Sequence, residues 1–147
     1  MTITAEVRVR VAALLGREPR GLEAVAVTAA DGSPMVIRVA SLVDDTPFLT
    51  LFWLVGPGLN YRIDQAEAGG LIKQLQGRID ADPSLQQRMR ADHQAYIALR
   101  DSYTSAAVRC RLAQLGFADV LDDRGIGGIA DFGRIRCLHT WYAAHLV

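Results

Sequence analysis

Residues 22–43 have the sequence LEAVAVTAADGSPMVIRVASLV. Apolar side chains alternate along Leu22–Thr28, which is the period of a strand with one buried face. Asp31-Gly32-Ser33-Pro34 carries the residues that favour a turn, and a second apolar stretch follows at residues 35–43. The sequence therefore predicts a β-hairpin.

The next apolar stretch, FLTLFWLV at residues 48–55, is too short for most helices. We predict that it forms the central or the most buried strand of a small antiparallel sheet. Alternation places Phe48 and Phe52 on one face and Trp53 on the other, so both faces are apolar. Either helices of the same chain cover both faces, or a partner chain covers one of them, as in a homodimer.

Helical patterns flank these strands on both sides. Thr4 is a suitable N-cap for a helix over residues 5–17. After Gly56-Pro57-Gly58 the apolar period changes from two to about 3.6. Helices are predicted there over residues 59–67, 71–79, 83–103, 106–115 and 132–146, the last with Asp131 as N-cap. The predicted fold is one α+β domain over residues 1–147: an N-terminal helix, a three-stranded antiparallel sheet and a helical C-terminal half.

The composition excludes several classes of protein. Half of the 147 residues are hydrophobic, and 16 basic residues balance 16 acidic ones. Disordered chains have lower hydrophobicity and higher net charge, and nucleic-acid binders need a surplus of positive charge. No apolar stretch approaches the roughly 20 residues of a membrane helix. With only two cysteines and no signal-like N-terminus, we expect a cytoplasmic protein with reduced thiols and no contact with nucleic acid or membrane.

Several short stretches lie in one order along most of the chain. They are Leu15-Gly16-Arg17, Pro19-Arg20-Gly21, residues 46–54, Glu67-Ala68-Gly69-Gly70, Asp82-Pro83, residues 93–96, Arg100-Asp101 and Arg136-Cys137-Leu138-His139. Together they resemble an uncharacterised bacterial family, domain of unknown function 501. Many members of that family carry a cysteine-rich segment near the first hairpin and a tail after the last helix, and this chain shows neither. The resemblance implies no activity, because none is established for the family.

A glycine-rich loop before the last predicted helix is the strongest candidate for a binding site. Backbone N–H groups at Gly127 and Gly128 could face an anion, and a helix N-terminus adds partial positive charge. Arg134 and Arg136 fall in the first turn of the predicted helix, where a cation is unfavourable unless an anion lies nearby. His139 shares a helix face with Arg136. This pattern predicts a pocket for phosphate or carboxylate.

Two interpretations remain for the polar residues of the long helix. His93 and Arg100 lie on one helical stripe. In the first interpretation they converge with Glu67, Arg136 and His139 in one polar pocket. In the second, Glu67 satisfies a half-buried His93, and the arginines form internal ion pairs. The carboxylates available to Arg134 and Arg136 in that case are Asp122, Asp123 and Asp131.

A metal site at Cys137 and His139 is disfavoured. Two residues apart on a helix, their side chains point about 200° apart. A site would need Cys137 outside the helix, with further ligands from elsewhere, such as His93 or Cys110. Cys137 also fits as a small buried residue under Trp141. We therefore expect no metal and no cofactor.

The favoured function is a domain that binds a small anionic molecule. The alternative is a non-catalytic module that binds a protein partner and whose Arg, His and Glu residues are structural ion pairs. The sequence leaves open whether the protein is an enzyme, and it identifies no ligand.

Overall fold

A computed structural model describes residues 3–147. An N-terminal helix comes first, then a small antiparallel sheet, then helices, as predicted. Among the described residues, no helix is both long and apolar enough to span a bilayer. The elements are α1 (Ala5–Leu15), β1 (Leu22–Thr28), β2 (Pro34–Val39), β3 (Leu42–Val43), β4 (Thr46–Pro47), β5 (Phe52–Leu54), α2 (Pro57–Ala68), α3 (Leu71–Asp80), α4 (Pro83–Ser102), α5 (Ala106–Gln114), α6 (Val120–Asp123), a 3₁₀ turn (Ile126–Gly128) and α7 (Leu138–Leu146).

Local capping sets the bounds of the first helix. The Thr4 hydroxyl accepts a hydrogen bond from the Val7 N–H at 3.2 Å, so the predicted N-cap is confirmed. Gly16 adopts a left-handed conformation with φ of 74°, which ends α1 at Leu15. The helix is therefore two residues shorter than predicted.

The three-stranded sheet has the order β1-β2-β5, and both pairs are antiparallel. Leu22 pairs with Val39 in the first ladder, and Val36 pairs with Leu54 in the second. The prediction that residues 48–55 form the central strand is wrong, because β2 is central and β5 lies at an edge. The predicted strand over residues 35–43 is divided, because Leu42–Val43 pairs separately with Thr46–Pro47.

Side chains of α4 bond to two main-chain groups in residues 48–51, just before β5. The carbonyl of Leu49 accepts a hydrogen bond from Arg100 at 2.6 Å. The Leu51 N–H donates to the Tyr96 hydroxyl, also at 2.6 Å. These two groups are satisfied without a strand partner, and regular pairing begins at Phe52.

Helices of the same chain cover both faces of the sheet. On one face, α1 packs through the fully buried Val11 against Ile37. On the other, α4 and α7 pack through Tyr96 and Ala143 against Val36 and neighbouring apolar side chains. The alternation along β2 directs its side chains into these two clusters. Both apolar faces are thus explained within one chain.

The last helix begins six residues later than predicted, at Leu138. The Asp131 carboxylate does not cap a helix; it accepts the Gly133 N–H at 2.9 Å and closes a turn. The side chain of Gln76 then binds the Gly133 carbonyl and the Ile135 N–H, at 2.8 and 3.0 Å. These bonds hold the segment in a non-helical conformation. The short helix α6 was not predicted.

Candidate functional site

The five residues predicted to form one polar pocket lie in separate places. His93 and Arg100 are buried in the interior, and we call them the core node. Glu67 and His139 meet near the surface with Asp64 and Cys137, and we call these four the surface cluster. The predicted single pocket is therefore wrong.

His93 is fully buried and bonded to the main chain. Its Nδ1 accepts the Ile126 N–H at 3.0 Å. The imidazole stacks on Phe132, with ring centres 4.6 Å apart, and the Trp141 ring meets it edge-on at 5.0 Å. Burial lowers the pKa of His93, while the charge of Asp92 acts in the opposite direction. The predicted Glu67 partner is wrong; His93 is held by backbone and aromatic rings.

Arg100 is 1% exposed and binds three main-chain carbonyls. Its guanidinium donates to the carbonyls of Leu49 and Arg124, both at 2.6 Å, and to that of Leu121. Burial lowers its pKa, an effect that nearby Tyr96 and acidic residues oppose. Across residues 3–147 no carboxylate lies within ion-pair distance of it. Arg100 therefore ties Leu49 and the segment 121–124 at α6 to α4 without the predicted ion pair.

The glycine-rich loop turns most of its amides inward. The Ile126 N–H binds His93, the Gly125 N–H donates to the Ile129 carbonyl, and the Gly128 N–H donates to the Gly125 carbonyl. Gly127 and Gly128 have φ of 77° and 71°, a conformation that favours glycine. These amides stabilise the loop, so one of the two donors of the predicted cradle, the Gly128 N–H, is already engaged within it.

The surface cluster is centred on His139, in the first turn of α7. Its Nε2 lies 2.8 Å from Asp64 Oδ1, and its Nδ1 lies 3.2 Å from Glu67 Oε1. Cys137 Sγ is 3.6 Å from the same Nδ1. The second oxygen of Glu67 accepts the Leu138 N–H at 2.9 Å. One carboxylate therefore both caps α7 and contacts the imidazole.

The backbone before α7 removes the objection to a metal at this position. Cys137 is extended, with φ of −148° and ψ of 123°, and precedes the helix. The separation of about 200° between the two side chains assumed that both residues are helical. That assumption is wrong, because Cys137 lies before the helix. Potential ligand atoms of Glu67, Cys137 and His139 all lie within 4.8 Å of one another. The predicted ligands His93 and Cys110 are not members of this group.

Asp64 was missed from the sequence. It lies three residues before Glu67 on α2, a spacing that places both carboxylates on one helix face. This spacing was the sequence signal that could have placed Asp64 beside Glu67. The α7 segment that this face meets comes from about 70 residues further along the chain, as the Leu138–Glu67 bond shows.

Arg134 and Arg136 are exposed and lie before α7, outside any helix. In the described part of the chain, no carboxylate oxygen lies within 4.0 Å of either guanidinium. The predicted pairing with Asp122, Asp123 or Asp131 is therefore absent. Arg134 borders an open surface depression of about 670 Å³, which we call the basic depression after the two cations in its lining, Arg134 and Lys73. Its other polar side chains are Glu67, Gln76 and Asp80, so two carboxylates match the two cations in number.

The fold and these contacts define an α+β domain with a polar cluster where α2 meets the start of α7. The chain belongs to the family described as Protein of unknown function (DUF501), whose model matches residues 25–147. The match includes all four residues of the surface cluster. No curated protein and no solved structure matches the chain at a significant level.

Proposed function

We propose that this protein binds a small anionic molecule, a carboxylate or a phosphate, at the basic depression. The observation that carries the proposal is the uncompensated charge of Arg134, which borders the depression with Lys73. Neither cation has a carboxylate within ion-pair distance among residues 3–147. An anion placed between them would gain two charge-assisted contacts.

The acidic side chains of the depression are already engaged. Glu67 accepts the Leu138 N–H and contacts His139. Asp80 accepts a hydrogen bond from the Gln76 amide at 2.9 Å. Each carboxylate thus already accepts a hydrogen bond within the protein, whereas neither cation has an ion-pair partner among residues 3–147. Because a guanidinium can bind two oxygens side by side, Arg134 suits a planar carboxylate or a phosphate.

Isothermal titration calorimetry with inorganic phosphate and with citrate tests this proposal. We expect saturable binding that weakens in Arg134→Gln and in Lys73→Gln. Arg88→Gln is the matched control, since Arg88 is exposed on α4 and its substitution removes the same charge. Equal weakening in the control, or no saturable heat with the wild-type chain, would contradict the proposal.

A second candidate is a non-catalytic module that binds a protein or a second copy of the chain. It is favoured by the core node, where two of the predicted ligand-binding residues are bonded to the main chain instead. Absence of anion binding in the titration would favour this candidate. A cytoplasmic location belongs to either proposal, since Cys110 and Cys137 are both free thiols.

A further inference from the structure

We propose that Glu67, Cys137 and His139 bind one divalent ion of the zinc class. Carboxylate oxygen, thiolate sulfur and imidazole nitrogen are the three kinds of ligand that zinc takes in proteins. The three side chains come from two separate segments, the end of α2 and the start of α7. This inference concerns an ion and does not depend on the anion site proposed above.

Two of the three distances between the ligand atoms match those around a tetrahedral ion. Zinc bonds of about 2.3 Å to sulfur and about 2.0–2.2 Å to nitrogen and oxygen place tetrahedral N and S about 3.6 Å apart, and N and O about 3.3–3.5 Å apart. In this protein the His139 Nδ1 to Cys137 Sγ distance is 3.6 Å, and the Nδ1 to Glu67 Oε1 distance is 3.2 Å. The third pair, Cys137 Sγ and the Glu67 carboxylate, lies within 4.8 Å.

Asp64 supplies a second, independent observation. Its Oδ1 lies 2.8 Å from His139 Nε2, the ring nitrogen that faces away from Glu67 and Cys137. A histidine that ligates a metal usually donates its other N–H to a carboxylate, which fixes the tautomer and the ring orientation. With the proton on Nε2, the lone pair of Nδ1 is directed toward the other two ligands. Asp64 is therefore a positioning residue.

Burial and ligand type narrow the choice of ion. The His139 and Glu67 side chains are 24% and 23% exposed, so an ion could enter from solvent and still be largely enclosed. A thiolate favours zinc and other thiophilic ions over magnesium or calcium. Three protein ligands leave the fourth tetrahedral position for water or a substrate, as in catalytic zinc sites.

The test uses the untagged, full-length chain after treatment with a chelator. Zn²⁺ is titrated by calorimetry, and Co²⁺ is titrated by absorption, because a bound thiolate gives a charge-transfer band with cobalt. We expect about one equivalent of either ion. The cobalt band should disappear in Cys137→Ser and persist in Cys110→Ser, the matched control on the exposed cysteine of α5.

Two further variants separate ligation from folding. Glu67→Gln retains an oxygen that can accept the Leu138 N–H, so α7 should still begin normally while zinc affinity falls. Asp64→Asn should lower affinity about 10–100-fold without changing the stoichiometry. Thermal unfolding of each variant without metal checks that the fold is intact.

No Zn²⁺ binding by the wild-type chain, or a cobalt band that is unchanged in Cys137→Ser, would overturn the inference. The cluster would then be a metal-free network in which His139 bridges two carboxylates. Phosphate titration of the chelated protein reports on the anion site separately, so the two proposals can fail independently.

Discussion

The core node and the surface cluster each contain a histidine, but their partners differ. His93 is bonded to a backbone N–H and enclosed by aromatic rings. His139 is partly exposed and surrounded by two carboxylates and a thiol. Main-chain partners are fixed by the fold, whereas side-chain partners near solvent can exchange with a ligand. The same residue type therefore serves structure in one region and is available for binding in the other.

The arginines of the two regions differ in the same way. Arg100 is enclosed and bound to carbonyl oxygens, while Arg134 is exposed beside the basic depression. When each arginine is replaced by methionine, the free energies of unfolding of the two variants can be compared directly.

Arg100→Met should have the largest effect on stability. Among residues 3–147, Arg100 is the one side chain that donates to the carbonyls of Leu49, Leu121 and Arg124, and this substitution removes it. Leaving buried polar groups without partners costs about 1–3 kcal/mol each, so we expect a loss of about 3–5 kcal/mol in the free energy of unfolding. Urea denaturation followed by circular dichroism measures it.

Arg134→Met is the control, and it should change the free energy of unfolding by no more than about 0.5 kcal/mol. Similar losses in the two variants would show that burial does not distinguish these arginines, and the division into a structural and a binding region would fail.

Gly125→Ala should have the next largest effect. A Cβ at Gly125 would lie 2.2 Å from Nδ1 of His93 and 2.9 Å from its Cγ, and the enclosed imidazole has no room to retreat. We expect the free energy of unfolding to fall by about 1–3 kcal/mol, which is typical of an overpacked core. Gly77→Ala in α3 is the matched control, because nothing lies within 4 Å of its Cβ. Gly77→Ala should raise the free energy of unfolding by about 0.5–1 kcal/mol, because alanine favours the helix over glycine. A tolerated Gly125→Ala would contradict the fixed position of His93.

Local signals in the sequence predicted the parts of the fold that local bonds determine. Thr4 was identified as an N-cap, and its hydroxyl accepts a hydrogen bond from the first turn of α1. The start of α7 depends instead on Gln76 and Glu67, which bind its leading segment from about 60–70 residues away. No local pattern contains that information.

Only part of the candidate site was predicted, again because its geometry depends on contacts between residues that are distant in the sequence. Glu67, Cys137 and His139 were all identified, but they were assigned to different sites. The error came from extending α7 back to residue 132, which placed Cys137 on a helix and separated it from His139. His93 and Arg100 were grouped with these residues because their helical spacing shows that they lie on one face of α4. The spacing does not show that this face is turned toward the interior.

The pH dependence of stability should give the smallest effect. Burial lowers the pKa of His93 in the folded state below its ordinary value of 6.5. Below about pH 6.5 the unfolded chain therefore binds more protons, so the stabilisation is complete above that pH and declines as the pH falls toward the folded-state pKa. One group contributes at most about 1.4 kcal/mol per pH unit. Urea midpoints at about pH 7.5 and 5.5 measure the decline.

The variant His93→Asn isolates this contribution, since it removes the titrating ring and retains a side-chain oxygen that can accept the Ile126 N–H. It should be less stable than the wild type at both pH values, with a smaller difference between them. His145→Asn, on the exposed end of α7, should keep the wild-type difference. If His93→Asn also keeps the wild-type difference, the acid sensitivity arises elsewhere in the chain, and the structural contribution assigned to the buried, uncharged His93 is contradicted. The contrast between a buried histidine that stabilises the fold and a partly exposed one that does not would then fail.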